Sequence, residues 1–206
     1  GVRSKILKDA VGIVFPCHGL TIPIPVLSFV KKVDFSKCTY LFGLATRGGS
    51  VFRGFQKIKK LLKKKGTRLN AQFTIDMGMN DPKLKEFEIP SKKEFQSLEK
   101  NALQKVEDVC RVITKQEDFD DGEASRGVSF SNSKIVNWVL ESLVIFAMEH
   151  VTKRALKHYF YADSKCTSCG ICEKLCPAQK ILLVEGRPVW QKDKKCYACY
   201  ACLNFC

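Results

Sequence analysis

"AVGIVF" (Ala10–Phe15) is an apolar run with no polar break, the pattern of a strand buried on both faces. Pro16 and Gly19 open a loop, and "PVLSFVKKV" (Pro25–Val33) then takes helical spacing. "CTYLFGLAT" (Cys38–Thr46) predicts a second buried strand, followed by "RGGS" and another helix. In that helix Phe55, Ile58, Leu61 and Leu62 fall on one face, while Lys57, Lys59, Lys60, Lys63, Lys64 and Lys65 take the others. Gly66 stops it as a C-cap residue. Arg68–Met77 alternates apolar with polar and predicts a third strand. Ser91 followed by Glu94 makes a capping box. It opens a helix whose stripe of Phe95, Leu98, Ala102, Val106, Val109 and Ile113 runs to Lys115.

Strand alternating with helix predicts a parallel sheet covered by helices on both faces. The acidic Gln116–Ser133 stretch reads as a mobile connector. An apolar helix from Ser133 to Lys157, carrying His150 and His158, is expected to pack between domains. Its apolar run, Ile135–Val151, is broken by Asn137, Glu141, Ser142 and Glu149, too short and too polar to span a membrane. Beyond it, Tyr159–Ala162 reads as a short strand, and Ile181–Trp190 as a hairpin turning at Glu185-Gly186. The expected division is 1–115, an α/β domain; 116–160, connector and helix; and 161–206, a small α+β domain.

The last segment carries the most specific chemistry. "CTSCGICEKLCP" and "CYACYACLNFC" each space their thiols C-x2-C-x2-C-x3-C. This is the spacing of bacterial two-cluster ferredoxins, in which the fourth cysteine of each run ligates the other cluster. Cys166, Cys169, Cys172 and Cys206 are thus expected to hold one [4Fe–4S] cluster, and Cys196, Cys199, Cys202 and Cys176 the second. Structural zinc uses separated knuckles of two ligands each, and a disulfide framework spreads its cysteines through a secreted chain. Neither layout is seen here. Gly170 would let backbone N–H groups approach cluster sulfurs; Tyr200 stands at the matching place in the second run. Tyr161, Ile181, Val189, Trp190, Tyr197 and Phe205 are the candidate shield against water.

Charge changes the picture only in the first half. The chain is +14, and residues 1–115 hold 23 Lys and Arg against 10 Asp and Glu. The basic excess lies away from the cysteines, and no aromatics interleave with the lysine helix as single-stranded nucleic-acid binding would need. A solvated face, or a docking surface for an acidic redox partner, is expected instead. Clustered reduced thiols point to a cytoplasmic setting.

In a parallel sheet, ligands bind beyond the carboxyl ends of the strands. The loops there are Pro16–Pro23 and Thr46–Ser50. "IVFPCHGLTIPIPVLSFVKKV", "LFGLATRGGS" and the two cysteine runs together resemble the ferrodoxin family, flavodoxin-like domains fused to a two-cluster ferredoxin. The resemblance implies a partial flavodoxin-like sheet and FMN in the complete protein. The flavin would be flanked by Pro16, Cys17, His18, Gly19, Thr46, Arg47, Gly48 and Gly49. Three features depart from the family: no phosphate-binding turn precedes the first strand, Cys17-His18 replaces an aromatic, and the chain stops at Cys206. Without its first βαβ unit the sheet would leave "AVGIVF" as a bare apolar edge. A fragment of a longer flavo-iron–sulfur protein is therefore expected. A carrier with a degenerate scaffold is the alternative. Cys38 and Cys110 are expected to be buried structural thiols.

Overall fold

The computed structural model describes residues 9–48, 52–78, 91–122, 133–147, 150 and 160–206. Four parallel strands form one sheet in the order β1-β2-β3-β4: β1 Ala10–Pro16, β2 Tyr40–Arg47, β3 Ala71–Asp76 and β4 Phe119–Asp120. The sheet sits between helix α1 (Ile24–Lys32) with α2 (Gly54–Lys63) on one face and α3 (Lys92–Lys115) on the other. This is a mixed α/β architecture with a parallel sheet, as the alternating pattern implies.

The side-chain period of two divides β2 between two cores. Leu41 and Ala45 join Ile13, Phe15, Phe55, Ile58 and Leu62 under α1 and α2. Tyr40, Phe42 and Leu44 face the other way and join Phe73, Val109 and Val112 under α3. Val14 of β1 also faces that way and is 64% exposed. Strand β1 is therefore buried on one face, not two, because α3 lies over β2 and β3 and does not reach the edge. Gly12 has no room for a side chain, since a Cβ there would overlap the Phe42 ring.

The capping box forms as expected. Ser91 N–H donates to Glu94 Oε2 at 2.8 Å, and Glu94 N–H returns to Ser91 Oγ. The expected apolar stripe of α3 is buried only where the sheet lies beneath it, at Val109 and Val112; Phe95 and Val106 are exposed. Cys110 is also exposed, so it is not a buried structural thiol, and Cys38 is half-buried just ahead of β2.

The acidic stretch corrects a second expectation. Instead of leaving the domain at Lys115, the chain adds β4 beside β3, pairing Ala71 with Phe119 and Gln72 with Asp120. Its carboxylates hold the basic half. Asp118 accepts from Arg68 and Asn70, Asp120 from Lys59 and Gln72, and Asp121 from the backbone N–H of Thr74. The rest of the expected connector, 123–132, lies outside the described residues.

Helix α4 (Lys134–Ala147) forms, but its apolar residues are not packed between domains: Ile135, Trp138, Leu143 and Phe146 are exposed. Among its described side chains Glu141 is buried, and its carboxylate pairs with Arg53 at the start of α2 and accepts from Asn137. His150 stacks on Phe146 and is exposed, and His158 lies outside the described residues.

Candidate functional site

The two cysteine runs fold into repeats of one another. Cys166–Gly170 and Cys196–Tyr200 each place left-handed residues at the same two positions: Ser168 (φ 59°) and Gly170 (φ 75°), then Ala198 (φ 55°) and Tyr200 (φ 54°). Short helices follow, α5 (Ile171–Leu175) and α6 (Ala201–Asn204), and they pack on each other. Between them lies the hairpin of β5 (Ile181–Val184) and β6 (Arg187–Trp190), turning on Glu185 and Gly186, both at positive φ as a two-residue hairpin turn requires. The strand expected at Tyr159–Ala162 is absent among the described residues, where Phe160–Ala162 is irregular.

One cavity collects four thiols. Cys176, from the first run, lines it together with Cys196, Cys199 and Cys202. Phe160, Ile181, Trp190, Tyr197 and Tyr200 close it in. Of the expected shield, Tyr161, Val189 and Phe205 face solvent instead. In the first run, burial raises the Cys172 thiol, and the charges of Cys169 and Cys166 add to the shift. Cys206 is exposed two residues past α6. All eleven cysteines are free of disulfides. Among the described residues no three His, Cys, Asp or Glu could hold a single metal ion; a cube takes one thiolate at each iron corner and spreads its sulfurs wider.

The two runs differ in surroundings. Burial pushes the Cys202 thiol up to about 11, and neighbouring charges at Cys196, Cys199, Cys176 and Cys172 add to the shift. Burial also raises Cys196, against the backbone N–H of Ala198 and the charge of Lys180. Cys169 is lowered instead, first by the backbone N–H of Ile171 and then by the Thr167 side chain. Thiolates crowded in a buried pocket need positive charge, which bound iron supplies while displacing the thiol protons. The donor set therefore fits iron–sulfur clusters. Further N–H···S bonds run from Lys180 to Cys176 (3.3 Å) and from Ala198 to Cys196 (3.4 Å), contacts of the kind that tune a cluster's potential.

The second run also meets the α/β sheet. His18 Nδ1 lies 3.2 Å from the carbonyl oxygen of Tyr197, and because a carbonyl only accepts, that nitrogen carries the proton. Burial lowers the His18 pKa below the usual 6.5, with the Tyr197 carbonyl acting in the opposite sense.

The other strand-end residues come together as the loops predict, since Pro16 pairs with Thr46 and Cys17 N–H donates to Thr46 O at 2.7 Å. Their side chains are committed elsewhere. Cys17 packs against the core, and burial pushes its thiol up to about 11. Arg47 is buried and its Nε donates to Asp76 at 2.5 Å. Gly19 stands at φ 55° in open space, Gly48 is half-buried, and Gly49 lies outside the described residues. Thr21 Oγ1, in the same loop as His18, is buried without a partner. Sequence reasoning did not single out Phe160 or Lys180: a lysine ahead of a short strand carries no signal that it will be enclosed.

Residues 158–206 match the family model of the 4Fe-4S dicluster domain. No curated protein and no solved structure matches the chain. This segment is thus a ferredoxin-type domain, whose chemistry is iron–sulfur electron transfer. Among the described residues no helix is long and apolar enough to cross a membrane.

Proposed function

We propose that the chain is an electron carrier in which a two-cluster ferredoxin segment, 161–206, works beside a flavodoxin-like α/β unit that reaches through β4. The cavity uniting Cys176 with Cys196, Cys199 and Cys202 carries this reading. It supports crossed ligation, with Cys166, Cys169, Cys172 and Cys206 holding the other cluster. Each cluster, when bound, takes and gives one electron, at about −400 mV if it resembles low-potential ferredoxins. The protein's own part is to supply thiolates, exclude water with Phe160, Trp190 and Tyr200, and hold the second run against the sheet through His18. Eleven free thiols suit a reducing cytoplasm. Reduction under anaerobic conditions should give two one-electron steps per chain. A chain taking up no electrons in that range would remove the reading.

The redox partner, in this account, is an acidic protein that meets α2. Lys60, Lys63 and Lys64 are exposed there, and the apolar face is spent on the core. Changing all three to Glu should slow reduction by an acidic partner about tenfold at low salt and little at high salt, because exposed charges act over roughly 8 Å at physiological ionic strength. An unchanged low-salt rate would return α2 to a plain solvated face.

A second reading adds FMN at the strand ends, and the unpartnered Thr21 hydroxyl favours it. Pro16–Gly19 and Thr46–Gly48 could flank a planar ring. Among the described strand-end residues the cation, Arg47, is held by Asp76 rather than free to take a phosphate. Fluorescence titration is expected to give weak FMN binding by this chain; tight stoichiometric binding would mean that the phosphate site lies elsewhere.

A further inference from the structure

We propose that Lys180 is a built-in charge that makes the two clusters unequal, raising the reduction potential of the one held by Cys176, Cys196, Cys199 and Cys202 above that of its neighbour. The inference rests on the cluster reading above and goes beyond it by assigning a direction.

Lys180 is 1% exposed, an unusual place for an ammonium group. Its Nζ donates to the carbonyl oxygens of Gln191 and Lys194, the latter at 2.7 Å. Those two bonds fix the head and solvate it, but carbonyls do not neutralise it. Among the described residues no carboxylate forms an ion pair with it. A buried charge persists only with a counter-charge close by. The anions that this structure offers are thiolates: Lys180 lines the same cavity as the four cysteines, and its backbone N–H donates to Cys176 Sγ at 3.3 Å.

The consequence follows from charge. A four-thiolate cluster is anionic, and reduction adds one more negative charge. A fixed cation in a water-poor pocket favours the reduced form, because little screening reaches it. Among the described residues no buried cation stands beside the first run. Lys174 is the cation that acts on Cys169, and both are exposed to solvent. Electrons shared between the clusters would therefore settle on the second, the one whose loop touches His18 at the sheet.

The test is an anaerobic redox titration followed by electron paramagnetic resonance, with iron counting on every sample. Lys180→Gln keeps amide donors for the two carbonyls but removes the charge. It should shift the reduction equilibrium of one cluster about tenfold toward the oxidised form, ~59 mV for one electron. Lys180→Arg should restore the wild-type value, and Lys174→Gln should move neither cluster appreciably. If Lys180→Gln instead loads only half the iron while Lys180→Arg loads all of it, the counter-charge role is supported by that route. Full iron with unmoved potentials in Lys180→Gln would overturn the inference, as would equal damage by Gln and Arg, which would make Lys180 a mere prop. Failure of the underlying cluster reading looks different: wild-type protein would then contain no cluster iron.

Discussion

The first and second cysteine runs share spacing, the two left-handed backbone positions and a short closing helix, yet Cys169 of the first is exposed while Cys196, Cys199 and Cys202 of the second line a cavity, joined there by Cys176. In the first, Cys169 is exposed and its thiolate is favoured by the Ile171 N–H. In the second, burial disfavours the thiolates of Cys196 and Cys202, and Lys180 is enclosed with them. Duplicated ligation geometry need not give duplicated function. Spacing determines what is bound, while the residues between and beyond the ligands determine how it behaves.

Four substitutions would break or sharpen that contrast. The largest effect is expected from Cys176→Ser, which removes a thiol from the cavity of the opposite run. Crossed ligation predicts damage to the cluster of Cys196, Cys199 and Cys202, with iron falling from about eight toward about four or six per chain. Cys206→Ser should injure the other cluster. Damage confined to each residue's own run would end the crossed assignment, and cluster-specific magnetic spectra distinguish the cases.

A middle-sized effect should follow Gly170→Ala. Gly170 is at φ 75°, and an added Cβ would stand 3.1 Å from Leu183 Cδ1. The left-handed conformation alone costs a non-glycine residue about 1–2 kcal/mol, measurable in anaerobic urea unfolding. Tyr200 already bears such a cost in the second run, at φ 54°. An unchanged urea midpoint would mean that the first loop relaxes more freely than its repeat.

The smallest effect concerns His18, which serves the second run alone. Its pKa is lowered in the folded chain, so the unfolded chain binds more protons below pH 6.5. The stability that His18 contributes is therefore present above that pH and lost as pH falls from there through the lower folded value. His18→Gln, neutral throughout, should flatten this part of the acid dependence of thermal unfolding. An identical profile in wild type and variant would remove the His18–Tyr197 contact from the account.

How much of this was legible in the sequence depended on how local the cause was. The Ser91–Glu94 cap and the Glu185-Gly186 turn are written within a few residues, and both appear where expected; the cysteine spacing is as local, and the dicluster family model matches over it. Helix α2 was also plain, because four apolar side chains on one face leave little choice. What escaped depended on distant partners. Asp118, Asp120 and Asp121 read as part of a mobile acidic connector until Arg68, Lys59 and Thr74 stand opposite them. Val14 reads as core because no local pattern records where α3 ends its cover. Arg47 and Cys17 read as ligand-facing because the loop pattern is blind to Asp76 and to the packing beneath. The apolar pattern of α4 likewise predicted burial, whereas its glutamate is buried and Trp138 is 60% exposed.

The measurement that bears most directly on the whole account is the iron, acid-labile sulfide and zinc content of the 206-residue chain, purified and reconstituted without oxygen. Two cubes predict about eight irons and about eight sulfides per chain, with no tightly held zinc. Stoichiometric zinc without labile sulfide would contradict the account.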